Sequence, residues 1–241
     1  MSEGQKIEIS VVVPVYNEEE NLPVLIPQIV DVLGGIGKPY EMIFVDDGSR
    51  DKSREILKKM ASQYPQLRLL GFKDNCGETA ADTAGLKEAR GEIVITIDAD
   101  LQNDPKDIPR MLEYLKAYDM VTGWRQKRED SWMKRITSRI ANQIRNWLSE
   151  ETIQDSGCTF RAYKRECLQN LKLYKGMHRF MPTLVRMEGF RVVEIPIAHH
   201  PRKFGVSKYT TWNRMWRAFV DLLVVRWMKH RHIHYEIEER I

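Results

Sequence analysis

Three short apolar runs, each closed by a polar cluster, constrain this chain more than any other feature. Ile7 to Val15 is rich in β-branched residues and closes on Tyr16-Asn17-Glu18. Glu41 to Val45 closes on Asp46-Asp47-Gly48-Ser49, and Glu92 to Ile97 on Asp98-Ala99-Asp100. The intervals between apolar runs have helical character: Asn21 to Leu33, opened by an Asn cap and ended by Gly34-Gly35, Asp51 to Gln63 with Asp51 as cap, and Thr79 to Ala89. Leu67 to Phe72 adds a strand, Pro105 to Tyr118 a helix with Pro in its first turn, and Met120 to Gly123 a short strand. Alternation at this spacing predicts an α/β fold, a mostly parallel sheet with helices on both faces. Ligands of such sheets sit beyond the carboxyl ends of the strands, where the three polar clusters fall.

After Gly123 the pattern changes. Asp130 to Leu148 reads as a long basic amphipathic helix, Asp155 to Tyr163 as an extended segment, Arg179 to Glu188 as a helix and Arg191 to Ile197 as a strand. A loop from His199 to Val206 precedes a long helix from Thr210 to Lys229. No repeat or linker divides the chain, so residues 1–209 are expected to form one domain and 210–241 a C-terminal amphipathic helix with a polar tail. Charge follows the same division. Met1 to Asp104 holds 11 Lys and Arg against 19 Asp and Glu; Pro105 to Ile241 holds 27 against 15. The second half is thus suited to an anionic partner. The three cysteines, Cys76, Cys158 and Cys167, form no CxxC pair and read as reduced thiols of a cytosolic protein. Neither a signal peptide nor an apolar run of membrane-spanning length is visible, so the chain is expected not to cross a bilayer.

Asp98, Asp100 and Gln102 alternate, and in an extended stretch alternate residues share a face. Hard oxygen donors of this kind suit Mg²⁺ or Mn²⁺ bound together with a substrate phosphate. The competing reading is a turn whose Asp residues cap the helix at Pro105. Likewise a carboxylate in Asp46-Asp47-Gly48-Ser49 can meet a nucleoside, or the cluster can be an Asx turn with Gly48 left-handed.

Together, Val12-Val13-Pro14-Val15-Tyr16-Asn17-Glu18, Val45-Asp46-Asp47-Gly48-Ser49 and Asp98-Ala99-Asp100-Leu101-Gln102 resemble the family 2 glycosyltransferases of GT-A (Rossmann-like) fold. The likeness is closer to the polyprenyl-phosphate sugar synthases, including the dolichyl-phosphate mannose synthase type, and runs from Ile9 to about Trp227. The resemblance implies a nucleotide-sugar pocket lined by Pro14, Tyr16 and Glu18, with Asp47 and the adjacent Asp46 at the base or ribose. It places Asp98 on the nucleotide side and Asp100 and Gln102 on the metal. Gly123-Trp124-Arg125 resembles the family's Gly-x-Arg. Lys134 to Arg139 resembles its basic acceptor helix, which would bring Arg135, Ser138 and Arg139, with Arg125, to the acceptor phosphate. Asp155 to Arg161 matches its Asp-x-x-Gly-x-Phe-Arg region imperfectly, giving Asp155 an orienting or weak-base role. Arg202 to Tyr209 matches a loop closing over the donor diphosphate, with Arg202 and Lys208 as contacts.

The charge distribution agrees. Arg125 to Arg145 holds seven Lys and Arg against two acids, and Arg202 to His232 eight against Asp221 alone. The first stretch can receive a lipid phosphate or be a solvated helix face, while the second is more basic than solubility requires. In the last helix Trp212, Trp216, Phe219, Leu223 and Trp227 recur at helical spacing, suiting a membrane interface or core packing equally. His230, His232 and His234 read as a basic tail, and Cys158 as a small buried side chain. The expectation is an inverting, metal-dependent transfer of sugar from a nucleotide-sugar to a polyprenyl phosphate, by a cytoplasmic protein peripheral to the cytosolic face of a membrane or held by an anchoring subunit. A hydroxyl acceptor on a polysaccharide or protein is the alternative. Nucleic-acid binding would leave the three acidic strand ends without a role, and no nucleic-acid partner is expected.

Overall fold

A computed structural model describes residues 6–125, 153–201, 211–233 and 239, with side chains of the last helix described from Phe219 onward. Strands β1 (Ile9–Val15), β2 (Tyr40–Asp46), β3 (Leu67–Gly71), β4 (Ile93–Thr96), β5 (Met120–Arg125), β6 (Arg161–Lys164) and β7 (Val192–Ile197) form one sheet. Their order is β3-β2-β1-β4-β6-β5-β7. All neighbours pair in parallel except β6, which lies antiparallel between β4 and β5. The expected mostly parallel α/β sheet is therefore present. β6 begins only at Arg161, so the extended segment expected from Asp155 turns first: Cys158 N–H donates to the Asp155 carbonyl.

Successive β1 residues bury on opposite faces because both faces are covered. Val11, Val13 and Val15 join Leu22, Leu25, Ile26 and Ile29 of α1 (Leu22–Ile36), Leu57 of α2 (Ser53–Gln63) and Ile108 and Met111 of α4 (Ile108–Tyr114). Val12 turns to the other face, with Ile43, Val45 and Ala81 of α3 (Glu78–Glu88). On that face α5 (Met181–Met187) packs Met181 and Val185 against Met120 and Tyr163. The last helix, α6 (Thr211–Arg231), buries Leu222 and Val225 against Met177, Phe180 and Leu184. Its Phe219, Val220, Leu223, Val224 and Trp227 are exposed, so packing and an outward apolar stripe coexist on one helix. No described helix is long and apolar enough to cross a membrane.

Three local expectations are corrected. α1 runs through Gly34-Gly35 and ends at Gly37, whose φ of 73° supplies the left-handed cap. Asn21 makes no side-chain cap to α1; its Nδ2 donates instead to Glu18 Oε2 at 2.6 Å. The helix expected from Pro105 starts as a 3₁₀ turn over Pro105–Asp107 and continues as α4 only to Tyr114.

Candidate active site

The ends of β1 and β2 are stitched together. Asn17, left-handed at φ 54°, donates its N–H to Ser49 Oγ (3.0 Å) and accepts from the Arg50 N–H (2.7 Å). Glu18 N–H donates to Ser53 Oγ and Glu19 N–H to Asp51. Asp51 also accepts from Ser53 N–H at 2.9 Å, so it braces the entry to α2, whose N-cap position falls to Lys52. Gly48 has φ 69°, and a Cβ there would meet the Asp74 carbonyl carbon at 2.7 Å, so turn geometry and close approach both require glycine.

Within this stitching the two aspartates of β2's end differ. Asp46 is fully buried, pairs with Arg54 and accepts from Ser49 N–H at 3.0 Å. Asp47 accepts from Asn75 Nδ2 (2.8 Å), Cys76 N–H (2.6 Å) and Gly77 N–H (2.8 Å), and so grips the segment that leads into α3. Pro14 and Tyr16 are partly exposed on the same edge.

β4 ends at Thr96, and the chain turns over Ala99 to Leu101, with Leu101 left-handed at φ 60°. The extended geometry expected through Gln102 is therefore absent. Its alternation survives in burial: Ala99 and Leu101 enter the core, while Asp98 and Gln102 keep some access to solvent and Asp100 is 8% exposed. Asp100 Oδ1 accepts from Gln102 N–H at 3.1 Å, and Thr159 donates its hydroxyl to Asp98. The cap of the helix at Pro105 belongs to Asp104, which accepts from Lys106 N–H, so neither Asp98 nor Asp100 is needed for it. Burial pushes the Asp98 carboxyl up to about 7, reinforced by the neighbouring charges of Asp100 and Glu78 and opposed by Thr159 and Arg125. Carboxylates crowded in this way favour a cation among them.

Arg125 at the end of β5 makes a two-pronged pair with Asp155, Nε to Oδ2 at 2.6 Å and Nη2 to Oδ1 at 2.9 Å. Asp155 N–H in turn donates to Glu194 Oε1 of β7 at 2.8 Å. The two residues expected to serve the acceptor thus also hold each other. Cys158 is buried, and burial pushes its thiol up to about 12, which suits an inert side chain. Gln102 C=O accepts from His200 N–H at 2.9 Å, and Asn103 bridges to His199, so the chain approaching Arg202 is tied to the Asp98 turn. The expected contacts Arg135, Ser138, Arg139, Arg202 and Lys208 lie outside the described residues.

Sequence reasoning missed Glu78, Asp82 and His178. Glu78 and Asp82 are one turn apart on α3, and Glu78 lies 3.6 Å from His178 Nε2. Their one sequence signal is an acid pair at i, i+4 in the helix after a polar loop. A cavity of about 1060 Å³ at the opposite pole, touching Ile36, Ile93 and Leu112, is lined by four lysines, of which Lys38, Lys116 and Lys164 pair with Glu8, Glu113 and Asp119. Among the described residues no group of three or more His, Cys, Asp or Glu forms a ready-made metal cage.

The family described as Glycosyl transferase family 2 matches residues 10–172. The chain is 40% identical over 205 residues to an undecaprenyl-phosphate 4-deoxy-4-formamido-L-arabinose transferase of Pectobacterium atrosepticum, covering 84% of this chain and 62% of that protein. It is 37% identical over 227 residues to a dodecaprenyl-phosphate galacturonate synthase of Rhizobium johnstonii, covering 92% and 67%. Among solved structures it resembles glucosyl-3-phosphoglycerate synthase from Mycobacterium tuberculosis in complex with Mg²⁺ and UDP. There the TM-score is 0.66 at 18% identity, over 95% of this chain and 81% of that one. The chain spans less than two thirds of the length of the Pectobacterium relative.

Proposed function

Because this chain belongs to glycosyl transferase family 2, we propose that it is an inverting glycosyltransferase moving one sugar from a nucleoside-diphosphate sugar to a polyprenyl phosphate. The observation that carries the reading is the crowding of Asp98 and Asp100 at the carboxyl end of β4, within a chain whose curated relatives are named for prenyl-phosphate sugar transfer. The donor set fits a divalent ion: Asp98 and Asp100 are hard oxygen ligands whose repulsion a cation relieves, and Gln102 lies in the same turn. Two carboxylates suffice for Mg²⁺ or Mn²⁺, which keep waters and share substrate phosphates. When bound, the ion would neutralise the departing diphosphate.

The chain's own residues supply the remainder. A phosphate monoester is already ionised near neutral pH, so its oxygen attacks without a strong base. The protein's task is to align two anions and stabilise the leaving group. Tyr16 and Glu18, on the stitched β1–β2 edge, would hold the nucleoside, while Asp46 and Asp47 fix that edge's shape. Arg125, aimed by Asp155, would meet the acceptor phosphate, with Arg135, Ser138 and Arg139, while Arg202 and Lys208 would close on the donor. The exposed stripe of α6 would rest on the cytosolic face of a membrane or on an anchoring subunit, making the protein cytoplasmic and peripheral.

The test is a panel of UDP- and GDP-sugars with a short polyprenyl phosphate and Mg²⁺ or Mn²⁺, following nucleoside diphosphate release. Release that requires both lipid phosphate and metal is expected. Release that ignores the lipid phosphate, or answers only to a hydroxyl acceptor, overturns the reading. Flotation with anionic liposomes checks the membrane contact; protein left at the bottom of the gradient removes it.

A further inference from the structure

Glu194 stands on β7, directly beside Thr122 of β5 in the sheet register. Its two carboxylate oxygens accept from two consecutive backbone N–H groups, Oε2 from Gln154 at 2.9 Å and Oε1 from Asp155 at 2.8 Å. Bonds to an ionised acceptor are about twice as strong as neutral ones. Successive backbone N–H groups also form a concavity suited to an anion. The segment gripped in this way runs at once into a turn, closed by Cys158 N–H donating to the Asp155 carbonyl at 3.1 Å. The far side of that turn is held by Arg161 Nη2, which donates to the Ser156 carbonyl at 3.2 Å.

This turn aims Arg125. Asp155 accepts from Arg125 Nε at 2.6 Å, from Nη2 at 2.9 Å and from the backbone N–H at 3.3 Å. Gly157 lies so close that a Cβ there would stand 3.3 Å from Nη2. A guanidinium offers two edges to a two-pronged acceptor, and Asp155 takes the Nε–Nη2 edge. Nη1 has no partner among the described residues, so the Nη1–Nη2 edge is left over. With side chains only 16% and 9% exposed, the guanidinium is held by the carboxylate rather than by solvent.

We infer that Glu194 is a positioning residue of the acceptor subsite, holding the Asp155 turn so that Arg125 presents its Nη1–Nη2 edge to the acceptor phosphate. The inference rests on the transfer to a polyprenyl phosphate proposed above and adds the residue that sets the aim of Arg125. Arg161 braces the same turn, but it also holds the His178 carbonyl at 2.6 Å, so its loss would disturb more than Arg125. Removing Asp155 would leave Arg125 a nearly buried charge without its partner. A change at Glu194 reaches the aim of Arg125 and keeps both members of the ion pair.

Steady-state kinetics with a short polyprenyl phosphate, a UDP- or GDP-sugar and Mg²⁺ or Mn²⁺ tests this. Glu194→Gln keeps the size but turns one acceptor into a donor facing a backbone N–H. It should raise the KM for the lipid phosphate about 10-fold, while the KM for the sugar nucleotide stays within about 2-fold. Melting curves confirm that the variant is folded. Should it not fold, Glu194→Asp, with its charge and both acceptors on a shorter stem, carries the same test. Arg125→Lys keeps the charge, loses the fork and should raise the lipid-phosphate KM by itself. Adding Glu194→Gln to Arg125→Lys should change that KM by less than about 2-fold further, because Glu194 acts through the fork. A lipid-phosphate KM unmoved in the folded Glu194 variant overturns the inference, as does a donor KM that rises in step with it or full additivity with Arg125→Lys. A wild type whose turnover ignores the lipid phosphate sinks the transfer reading itself, and this inference with it.

Discussion

Asp119 and Asp98 are aspartates at opposite ends of one sheet, and the protein treats them in opposite ways. Asp119 precedes β5 and accepts from Lys164 Nζ at 2.7 Å, Arg191 N–H at 2.9 Å and Arg191 Nε at 3.2 Å. Burial alone would raise its pKa, but these donors outweigh it and hold the carboxyl well below the usual range. Asp98, past the end of β4, has one hydroxyl donor and two acidic neighbours, and its carboxyl rises to about 7. A carboxylate supplied with donors builds the fold; one crowded by its own kind is poised for a ligand.

The comparison breaks most visibly at Asp100. Asp100→Ala should lower transfer by about 10³-fold or more, by removing charge from the turn that would carry the metal. Circular dichroism and melting should stay near wild type, and Mg²⁺ or Mn²⁺ should no longer raise the melting temperature. Full activity would remove Asp100 from the site.

Next in size is the pH response of the metal-free protein. The folded pKa of Asp98 lies above its unfolded value near 3.8, so the folded state binds the extra proton between the two values. Its contribution to stability is thus complete below about pH 4 and lost as pH rises towards 7. Asp119 has the opposite sign, contributing above its unfolded value and losing that contribution as pH falls below about 4. Melting curves in EDTA from pH 4 to 8 should show the loss on the alkaline side, and Mg²⁺ should restore more at pH 8 than at pH 5. A metal effect independent of pH would separate Asp98 from the ion.

Asp119→Asn should cost about 1–2 kcal/mol of stability, discounted for the exposure of Arg191, while the folded fraction keeps its turnover. Urea titration and specific activity read the two parts separately. A large loss of turnover per folded molecule would erase the contrast between the two ends. Smallest of all, Lys116→Ala removes an exposed pair with Glu113 and should shift stability by less than about 0.5 kcal/mol in the same titration.

The sequence displayed the sheet well because both-face burial leaves continuous apolar runs, and the polar closures of β1, β2 and β4 fall at one edge as expected. It could not rank the acids at that edge. Asp46 and Asp47 are adjacent and identical in type, yet one pairs with Arg54 and the other holds Asn75, Cys76 and Gly77, partners distant in the chain. Glu78 and Asp82 showed in the sequence only as an acid pair one turn apart, since α3 had to be laid on the sheet before their charges reached Asp98. The turn after Asp98 escaped notice because Leu101 is left-handed, a conformation no residue preference for leucine would suggest. Gly37 rather than Gly34-Gly35 ends α1 because the first two glycines keep helical geometry, which glycine permits without requiring.

The pair between Arg125 and Asp155 has one more consequence. Arg125 ends β5, Asp155 stands in the turn before β6, and Glu194 of β7 accepts the Asp155 N–H, so three strands are clamped together. A push on the Arg125 guanidinium is therefore shared by three strands rather than borne by the tip of β5 alone.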